Sequence, residues 1–591
     1  AFASTDPALA SNGVVFVKFD LPQGTNGFLT VEVDAKPPRQ FRKGSVRDDQ
    51  GRVLAVFDGA WKWQRGRAIA RLRPGLAATL AIPTKPLSDA SMISLTPKTY
   101  AEQRAACAKT WREVLAQGMN VETPEPLVNH AWRNLVCQNF GLIRGDRIHY
   151  SAGNQYDALY ESEGSDAALA MLVWGYERDT RRLMTPLLDF TRKGLEYHQA
   201  GFKLNTLSRY FWQTRDTAAV AELRVRWEKE AQRLVNNRTA TNGLFPKEQY
   251  CGDIHTFVYS LNANAKAWRA LRDLGAMLSE TGETAEAKRY ATVAAGFREV
   301  IRTAIDQSVR RETTPPFVPV ALFGAEPVHD PILHSRIGSY WNIIIGYTLA
   351  SGIFPPGSEE EQWIPRYQEQ HGGLCMGLVR SGGGQFAFWT GEDRVNPLYG
   401  TRYALDALRR DDPERALVCL YGMLAQGFTR NTFIGGEGCA LQPVDEGGRL
   451  FYCPPNSAAN AHFLSMLRYT LVQDWDFDGD GKPETLRLLF ATPRRWLEDG
   501  KVIRVQRAPT VFGEVSFRMQ SQLRKGEVIV QVEPPQRQLP KQTLLRCRTP
   551  DGWRITAARV GDKRLAADSQ GTVDVSGLQG ALEVRFQVTR Y

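Results

Sequence analysis

The 591-residue chain has no run of about 18 apolar residues, the length a helix needs to cross a bilayer, so no membrane span is expected. Cysteine is scarce, at eight residues, and no CxxC pair occurs. That excludes a disulfide-built scaffold and the common zinc and redox dithiol motifs. HExxH is also missing, and His198, His255, His329, His334 and His371 are scattered, so they read as binding or structural groups. Basic residues outnumber acidic ones by 74 to 64, yet they are spread along the chain rather than gathered in a stripe. Nucleic acid is therefore not an expected partner. The start, Ala1-Phe2-Ala3-Ser4, lacks a charged or long apolar leader; its small residues fit the stub left by signal cleavage. A secreted or periplasmic location is the expectation.

What is present is ordinary globular material, with 43% hydrophobic and 23% charged residues. At roughly 150 residues per domain the length suggests three or four domains, or one large domain with accessories. The first ninety residues read as strands: Gly13 to Phe19, Phe28 to Val33, Arg67 to Leu72 and Ala77 to Ile82, separated by turn clusters. We assign residues 1–95 to an N-terminal β-sandwich-like domain, with Thr96-Pro97-Lys98 as a linker.

The period then changes. Val220, Leu223, Trp227, Ala231 and Leu234 recur at helical spacing behind Asp216, a candidate N-cap. Tyr290, Val293, Phe297, Val300 and Ala304 do the same, and Asp412-Pro413 reads as a cap followed by proline at the first helical position. About twelve helices are expected over 101–475, with starts near 124, 163, 179, 203, 216, 257, 284, 337, 357, 397, 413 and 455. Short links alternate with long ones, which suggests six helical hairpins closed into a toroid with the long loops on one face. Alternation of the strand type returns with Val515, Phe517 and Met519, then Val528, Val530 and Val532, and last Leu582, Val584, Phe586 and Val588. Residues 485–591 are thus expected to form a C-terminal β-sandwich. The fold class is mainly α and multidomain: an (α/α)6 toroid between two β-sandwich domains.

The long loops carry the chemistry. They include Tyr156-Asp157-Ala158-Leu159-Tyr160-Glu161, Lys247-Glu248-Gln249-Tyr250-Cys251-Gly252-Asp253, Phe388-Trp389-Thr390-Gly391-Glu392-Asp393-Arg394, and Gly435-Gly436-Glu437-Gly438 running on to Asp445-Glu446. Aromatic faces stack on the C–H side of a sugar, and carboxylates bind hydroxyls and supply acid and base. Glycoside hydrolysis needs one protonated and one ionised carboxyl across the scissile bond.

In domain order and loop chemistry the chain resembles the six-hairpin glycosidase superfamily, whose members include glucoamylases and α-L-rhamnosidases. The resemblance is architectural and covers most of the chain. It implies a general acid between helices 5 and 6 and a general base between helices 11 and 12. Residue by residue, that makes Glu248 the acid with Asp253 as competitor, and Glu437 the base with Asp445 or Glu446 behind it. Lys247-Glu248-Gln249-Tyr250 departs from the rhamnosidase acidic cluster, which places rhamnose in doubt more than the barrel. Asp157, Glu161, Glu392 and Asp393 would accept sugar hydroxyls, and Tyr156, Trp341 and Trp389 would stack. Arg380 and Arg394 would bind a uronate carboxylate or else form structural ion pairs. The expected activity is removal of a terminal sugar, with a uronic acid or a deoxy sugar as candidates, and with inversion if acid and base stand about 6.5–9.5 Å apart.

Two rivals remain open. A polysaccharide lyase would rely on Tyr250, His255 and Arg380; a non-catalytic carbohydrate-binding protein would keep the fold without the chemistry. No cofactor is expected for catalysis. Asp476, Asp478, Asp480 and Glu484 resemble a DxDGDG calcium loop, although Arg487 stands where an EF-hand has its twelfth-position Glu, so a structural Ca²⁺ or a plain acidic turn is expected. Cys439 and Cys453 flank the helix 11–12 loop, either as a disulfide or as free thiols. With Cys251 and Cys375 they could also form a zinc-thiolate site. Gly382-Gly383-Gly384 lacks the Lys-Ser/Thr of a phosphate loop and reads as a turn.

Overall fold

The computed structural model describes residues 1–23, 25–32, 40–42, 44–89, 93–382, 393–443 and 448–591. The chain divides into two compact units, Ala1–Gln117 and Gly118–Tyr591. In the first, the strands Val14–Phe19, Gly27–Glu32, Arg67–Leu72 and Ala78–Pro83 lie within a residue of the alternating segments of the sequence. Two antiparallel sheets form, one ordered through Val14–Phe19, Ala78–Pro83 and Val53–Phe57, the other through Gly27–Glu32, Arg67–Leu72 and Trp61–Gln64. Phe57, Ala78 and Leu80 of one sheet share a core with Trp61, Ala68, Ala70 and Leu72 of the other. The opposite face of the larger sheet buries Phe16, Val56 and Ala81 with Tyr100 from the helix Pro97–Gln117.

The second unit holds twelve principal helices among the described residues. They are α1 (Pro126–Gly141), α2 (Glu161–Val173), α3 (Glu177–Asp189), α4 (Glu196–Thr214), α5 (Arg224–Asn236, after a short turn Thr217–Glu222) and α6 (Leu261–Glu280). There follow α7 (Thr284–Asp306), α8 (Arg336–Ile344 continuing as Gly346–Ser351), α9 (Trp363–Gln370), α10 (Thr401–Arg409), α11 (Pro413–Gly422) and α12 (Ser457–Leu471). Local chemistry explains several starts. Asp216 accepts from the backbone of Ala219, Ser260 from Ala263, Asp412 from Arg415 and Asn456 from Ala459, each satisfying an amide that the first helical turn leaves unpaired. Of the periodic residues, Trp227, Ala231, Leu234 and Phe297 are fully buried, while Val293 and Val300 are half-buried; in α12, Phe463, Met466 and Leu467 are fully buried.

The even-numbered helices follow one another in a closed circuit. α2 packs on α4, α4 on α6, α6 on the second segment of α8, that segment on α10, α10 on α12, and α12 back on α2. Odd-numbered helices lie against this ring: α1 on α12, α3 on α2, α5 on α4, α7 on α6, and α11 on α10 and α12. Links from an even helix to the next odd one are mostly a few residues, as at 174–176, 281–283 and 410–412. The long loops therefore gather at the N-terminal ends of the ring helices.

After α12 the chain enters two sheets. Val472–Trp475 pairs with Thr485–Leu488, which pairs in parallel with Gln542–Arg546. The larger sheet contains Val502–Thr510, Gly513–Gln522, Glu527–Glu533, Leu582–Arg590 and Trp553–Val560, and Asn120–Glu122 joins its edge. Val515, Phe517 and Met519 alternate inward as expected. Gly526 takes φ +78° in the turn between two of these strands, a conformation other residues adopt at a cost. Arg468 of α12 ties the ring to these sheets. It is fully buried, lies 2.8 Å from Asp474, and donates to the carbonyls of Val472 and Pro509. Asp474 accepts in turn from the backbone of Val511 at 2.9 Å. Removing Arg468 takes from buried Asp474 its close counter-ion and leaves only the longer contact with Arg209, at 3.4 Å. Arg468→Met is expected to lower unfolding free energy by about 3–5 kcal/mol, measured by denaturant unfolding, whereas Arg554→Gln on the exposed surface should be neutral.

Candidate active site

A cavity opens where the N-terminal ends of α2, α4, α6 and α10 meet. Glu161, Glu163, Glu248, Asp253 and Glu437 all line it. Glu248 stands in the first strand of a hairpin between α5 and α6, Glu248–Cys251 with Ile254–Val258, and is directly paired with Val258. Its Oε2 accepts from the Tyr197 amide at the start of α4, at 3.1 Å. Its Oε1 has no hydrogen-bond partner among the described residues. The group is 2% exposed, and burial pushes its carboxyl up to about 8 despite the helix-terminal amides of Tyr197 and His198.

Glu437 comes from the α11–α12 loop. Its amide donates to Tyr452 at 2.8 Å, and the strand that follows it, Gly438–Ala440, lies between Arg394–Val395 and Phe451–Tyr452. This small sheet joins the α9–α10 loop to the α11–α12 loop. A Cβ at Gly438 would stand 2.9 Å from Arg394 Cδ, so the glycine lets the arginine cross the strand. Burial raises the Glu437 carboxyl to about 7, and the negative charges of Glu163 and Asp253 add to this. A hydrogen bond from Tyr150 and the charge of Arg394 oppose the rise.

Glu161 is held up to about 8, first by burial and then by Glu163. Glu163 is raised by its own burial and accepts from Ser162 at 2.5 Å. Beneath them Lys266 lies 3.3 Å over the Phe202 ring, and burial together with Arg402 brings its ammonium down to about 7. His198 is kept neutral by burial and by Lys266. Asp253 accepts from the Tyr340 hydroxyl at 3.2 Å.

Of the binding residues expected from the sequence, Glu161 reaches the cavity and Tyr156 lies beside it. The Tyr156 ring packs with Tyr150 and Tyr160, and its hydroxyl accepts from Tyr452 at 3.0 Å. Asp157 sits outside, held by His149 at 2.7 Å and Arg144 at 2.9 Å. Trp341, expected as a stacking platform, is wholly buried between Phe317 and Tyr367 and donates to the Val318 carbonyl. Arg380 and Asp393 bind each other at 2.5 Å, and Arg394 is buried beneath Gly438. Trp389, Glu392, Asp445 and Glu446, with Gly383 and Gly384, lie outside the described residues.

The sequence reading missed Glu163, Arg192, Tyr347 and Tyr399, all of which line the cavity together with His198, one of the histidines expected to bind or to serve structure. Glu163 had a visible signal, since it shares the first turn of α2 with Glu161. Arg192 lies in a link with no aromatic or acidic pattern. Its guanidinium occupies the space above Gly252, where a Cβ would fall 2.2 Å from Nη2. The residues a lyase would need do not converge. Tyr250 donates to the buried Glu326 at 2.5 Å, His255 is exposed, and Arg380 is paired with Asp393.

All eight cysteines are free thiols, including Cys439 and Cys453, and burial raises Cys251 to about 12, which disfavours a thiolate. Asp476, Asp478 and Glu484 bring ligand atoms within 4.8 Å of one another, without Asp480. Asp476 also binds Arg272 at 2.8 Å and accepts from the amides of Gly479 and Gly481. Among the described residues no helix is long and apolar enough to cross a membrane.

No family model and no curated protein matches the sequence. By structure, the chain is similar to an α-L-rhamnosidase from Dictyoglumus thermophilum, with 9% identity and a TM-score of 0.49 over 97% of this chain and 62% of that one. It is also similar to a bacterial glucoamylase complexed with acarbose, with 11% identity and a TM-score of 0.47 over 68% and 64% of the two chains. A rhamnosidase from Klebsiella oxytoca with rhamnose bound gives 11% and 0.43 over 69% of each. The chain spans less than two thirds of the first two.

The raised carboxyls make a stability prediction. A carboxyl whose folded value lies above its unfolded one favours folding at low pH, and that contribution is lost as pH rises from about 4.5 through about 8. Glu248→Gln removes this penalty. Its unfolding free energy is expected to equal that of the wild type near pH 4 and to exceed it by more than about 1.4 kcal/mol above pH 8, one pKa unit being worth that much. Equal stability at both pH values would show that Glu248 ionises normally.

Proposed function

We propose that the chain is an exo-acting glycoside hydrolase whose helical ring is an (α/α)6 toroid. The observation that carries this reading is the placement of Glu248 and Glu437. Their loops precede α6 and α12, three steps apart in a circuit of six, so the two carboxyls approach one cavity from opposite sides. A sugar between them would have an acid on one face and a base on the other. In this reading Glu248, protonated at neutral pH, gives its proton to the glycosidic oxygen. Glu437, held as a carboxylate by Tyr150 and Arg394, takes a proton from a water that attacks the anomeric carbon from the other side. The product would have inverted configuration. Asp253 is the competing acid. The near-complete burial of Glu161, Glu248 and Glu437 favours a closed pocket and hence a terminal sugar. Arg192 is a guanidinium at this cavity with no ion pair among the described residues, which favours a uronic acid over a neutral deoxy sugar.

The test is a panel of polysaccharides and oligosaccharides with products read by mass spectrometry. Hydrolysis should release a saturated sugar with gain of water, and Glu248→Gln and Glu437→Gln should each cut kcat by about 10²–10⁴. Activity needs Glu437 ionised and Glu248 protonated. kcat/KM should therefore rise through about pH 7 and fall through about pH 8, a narrow bell. Arg192→Gln should raise KM for uronate-ended substrates alone. An unsaturated product would overturn the hydrolase in favour of a lyase. Sugar binding without turnover would favour a non-catalytic protein.

We also propose a structural Ca²⁺ at Asp476, Asp478 and Glu484, which would share Asp476 with Arg272. Millimolar calcium should raise Tm by a few degrees and EDTA should reverse it; an unchanged Tm would leave Arg272 as the counter-charge of the loop.

A further inference from the structure

A second cavity lies at the other end of the ring helices. It is walled by the middle of α6, the end of α8, by α10, and by the chain just after α12. Five guanidinium groups border it: Arg269 and Arg272 from α6, Arg298 from α7, and Arg402 and Arg409 from α10. Three are neutralised within the protein. Arg269 binds Asp273 at 2.7 Å, Arg272 binds Asp273 and Asp476, and Arg402 binds Asp166 at 2.6 Å.

Arg298 and Arg409 differ. Neither has an ion pair among the described residues. Arg409 donates to the Asp476 carbonyl at 3.1 Å, and Arg298 lies 5.5 Å over the Trp268 ring with its Nε buried and unpartnered. The carboxylates that border the cavity are engaged elsewhere. Asp406 is bound by Arg410 at 2.6 Å, Glu361 accepts from the Gly357 amide, and Asp478 faces Lys541 at 3.5 Å. Two unneutralised guanidiniums from separate helices thus border a cavity walled by the aromatic rings of Trp268 and Trp475.

We propose that this cavity binds a small organic oxyanion, a phosphate, sulfate or carboxylate held by Arg298 and Arg409, on a body that packs against the aromatic wall. Guanidinium forks match oxyanion geometry, and the surrounding burial strengthens the attraction. The site is separate from the carboxylate cavity and does not depend on its activity.

The test is calorimetric titration of the full chain at fixed ionic strength with inorganic phosphate, phenyl phosphate and benzoate. Saturable one-to-one binding is expected, tighter for phenyl phosphate than for phosphate. The stronger of phenyl phosphate and benzoate identifies the oxyanion. Arg298→Gln and Arg409→Gln should each weaken binding at least tenfold, and the exposed control Arg554→Gln should not. Arg298→Lys, which keeps the charge, should retain part of the affinity with an unchanged thermal melt, separating lost charge from a damaged fold. Absence of saturable heat with all three probes, an equal loss in the control, or unchanged affinity in both glutamine variants would overturn the proposal.

Discussion

The second unit is organised around a costly arrangement: several carboxyls are removed from water at one end of a helical ring. An isolated buried carboxylate is strongly disfavoured, so each group must be protonated, hydrogen-bonded or faced by a cation. Glu161 and Glu248 take the first course, with values near 8. Glu437 combines the other two, through Tyr150 and Arg394. Cations on the ring helices are themselves buried. Lys203 is paired with Glu230 at 2.8 Å, Arg402 with Asp166, and Lys266 rests on the Phe202 ring. The inner helices thus carry a polar column where a simple bundle would carry leucines, and that column gives the carboxyls a defined charge state.

Connectivity supplies the rest. The short even-to-odd links hold neighbouring helices together, and the remaining links are free to lengthen. Three of them fold into strands beside the cavity: the α5–α6 loop makes the hairpin of Glu248, and the α9–α10 and α11–α12 loops join in the sheet next to Glu437. Ladder hydrogen bonds fix both backbones, so the two side chains are placed by strands and not by mobile loops.

Much of this was legible in the sequence because it follows from local pattern. Helix starts at 284 and 413 and strands such as Arg67–Leu72 coincide with the periodic segments, since spacing, caps and turn residues act over a few positions. The acidic loops were also visible, and Glu248, Asp253, Glu161 and Glu437 do share one cavity. What failed to show was partner choice. Trp341 looks like any loop-adjacent aromatic until Phe317 and Tyr367 close over it, and Arg380 looks available until Asp393 reaches it. Arg192 was invisible for the converse reason: its place depends on the missing side chain of Gly252, sixty residues away.

In the proposed reading, the division of labour between Glu248 and Glu437 rests on small differences. Both are buried and both are raised, so burial alone cannot distinguish acid from base. Among the described residues Glu248 receives backbone donors alone, at the start of α4, and faces no cation close enough to offset its burial. Glu437 receives a phenolic donor and a guanidinium charge, which favour its ionised form, while Glu163 and Asp253 limit how far it falls. Protonating either neighbour would lower Glu437 further and widen the gap to Glu248. A substrate that donates hydroxyls to Glu163 and Asp253 disperses their charge and acts in the same direction. On the proposed reading, a bound sugar would then sharpen the acid–base assignment, because it replaces repulsion among carboxyls with hydrogen bonds to them.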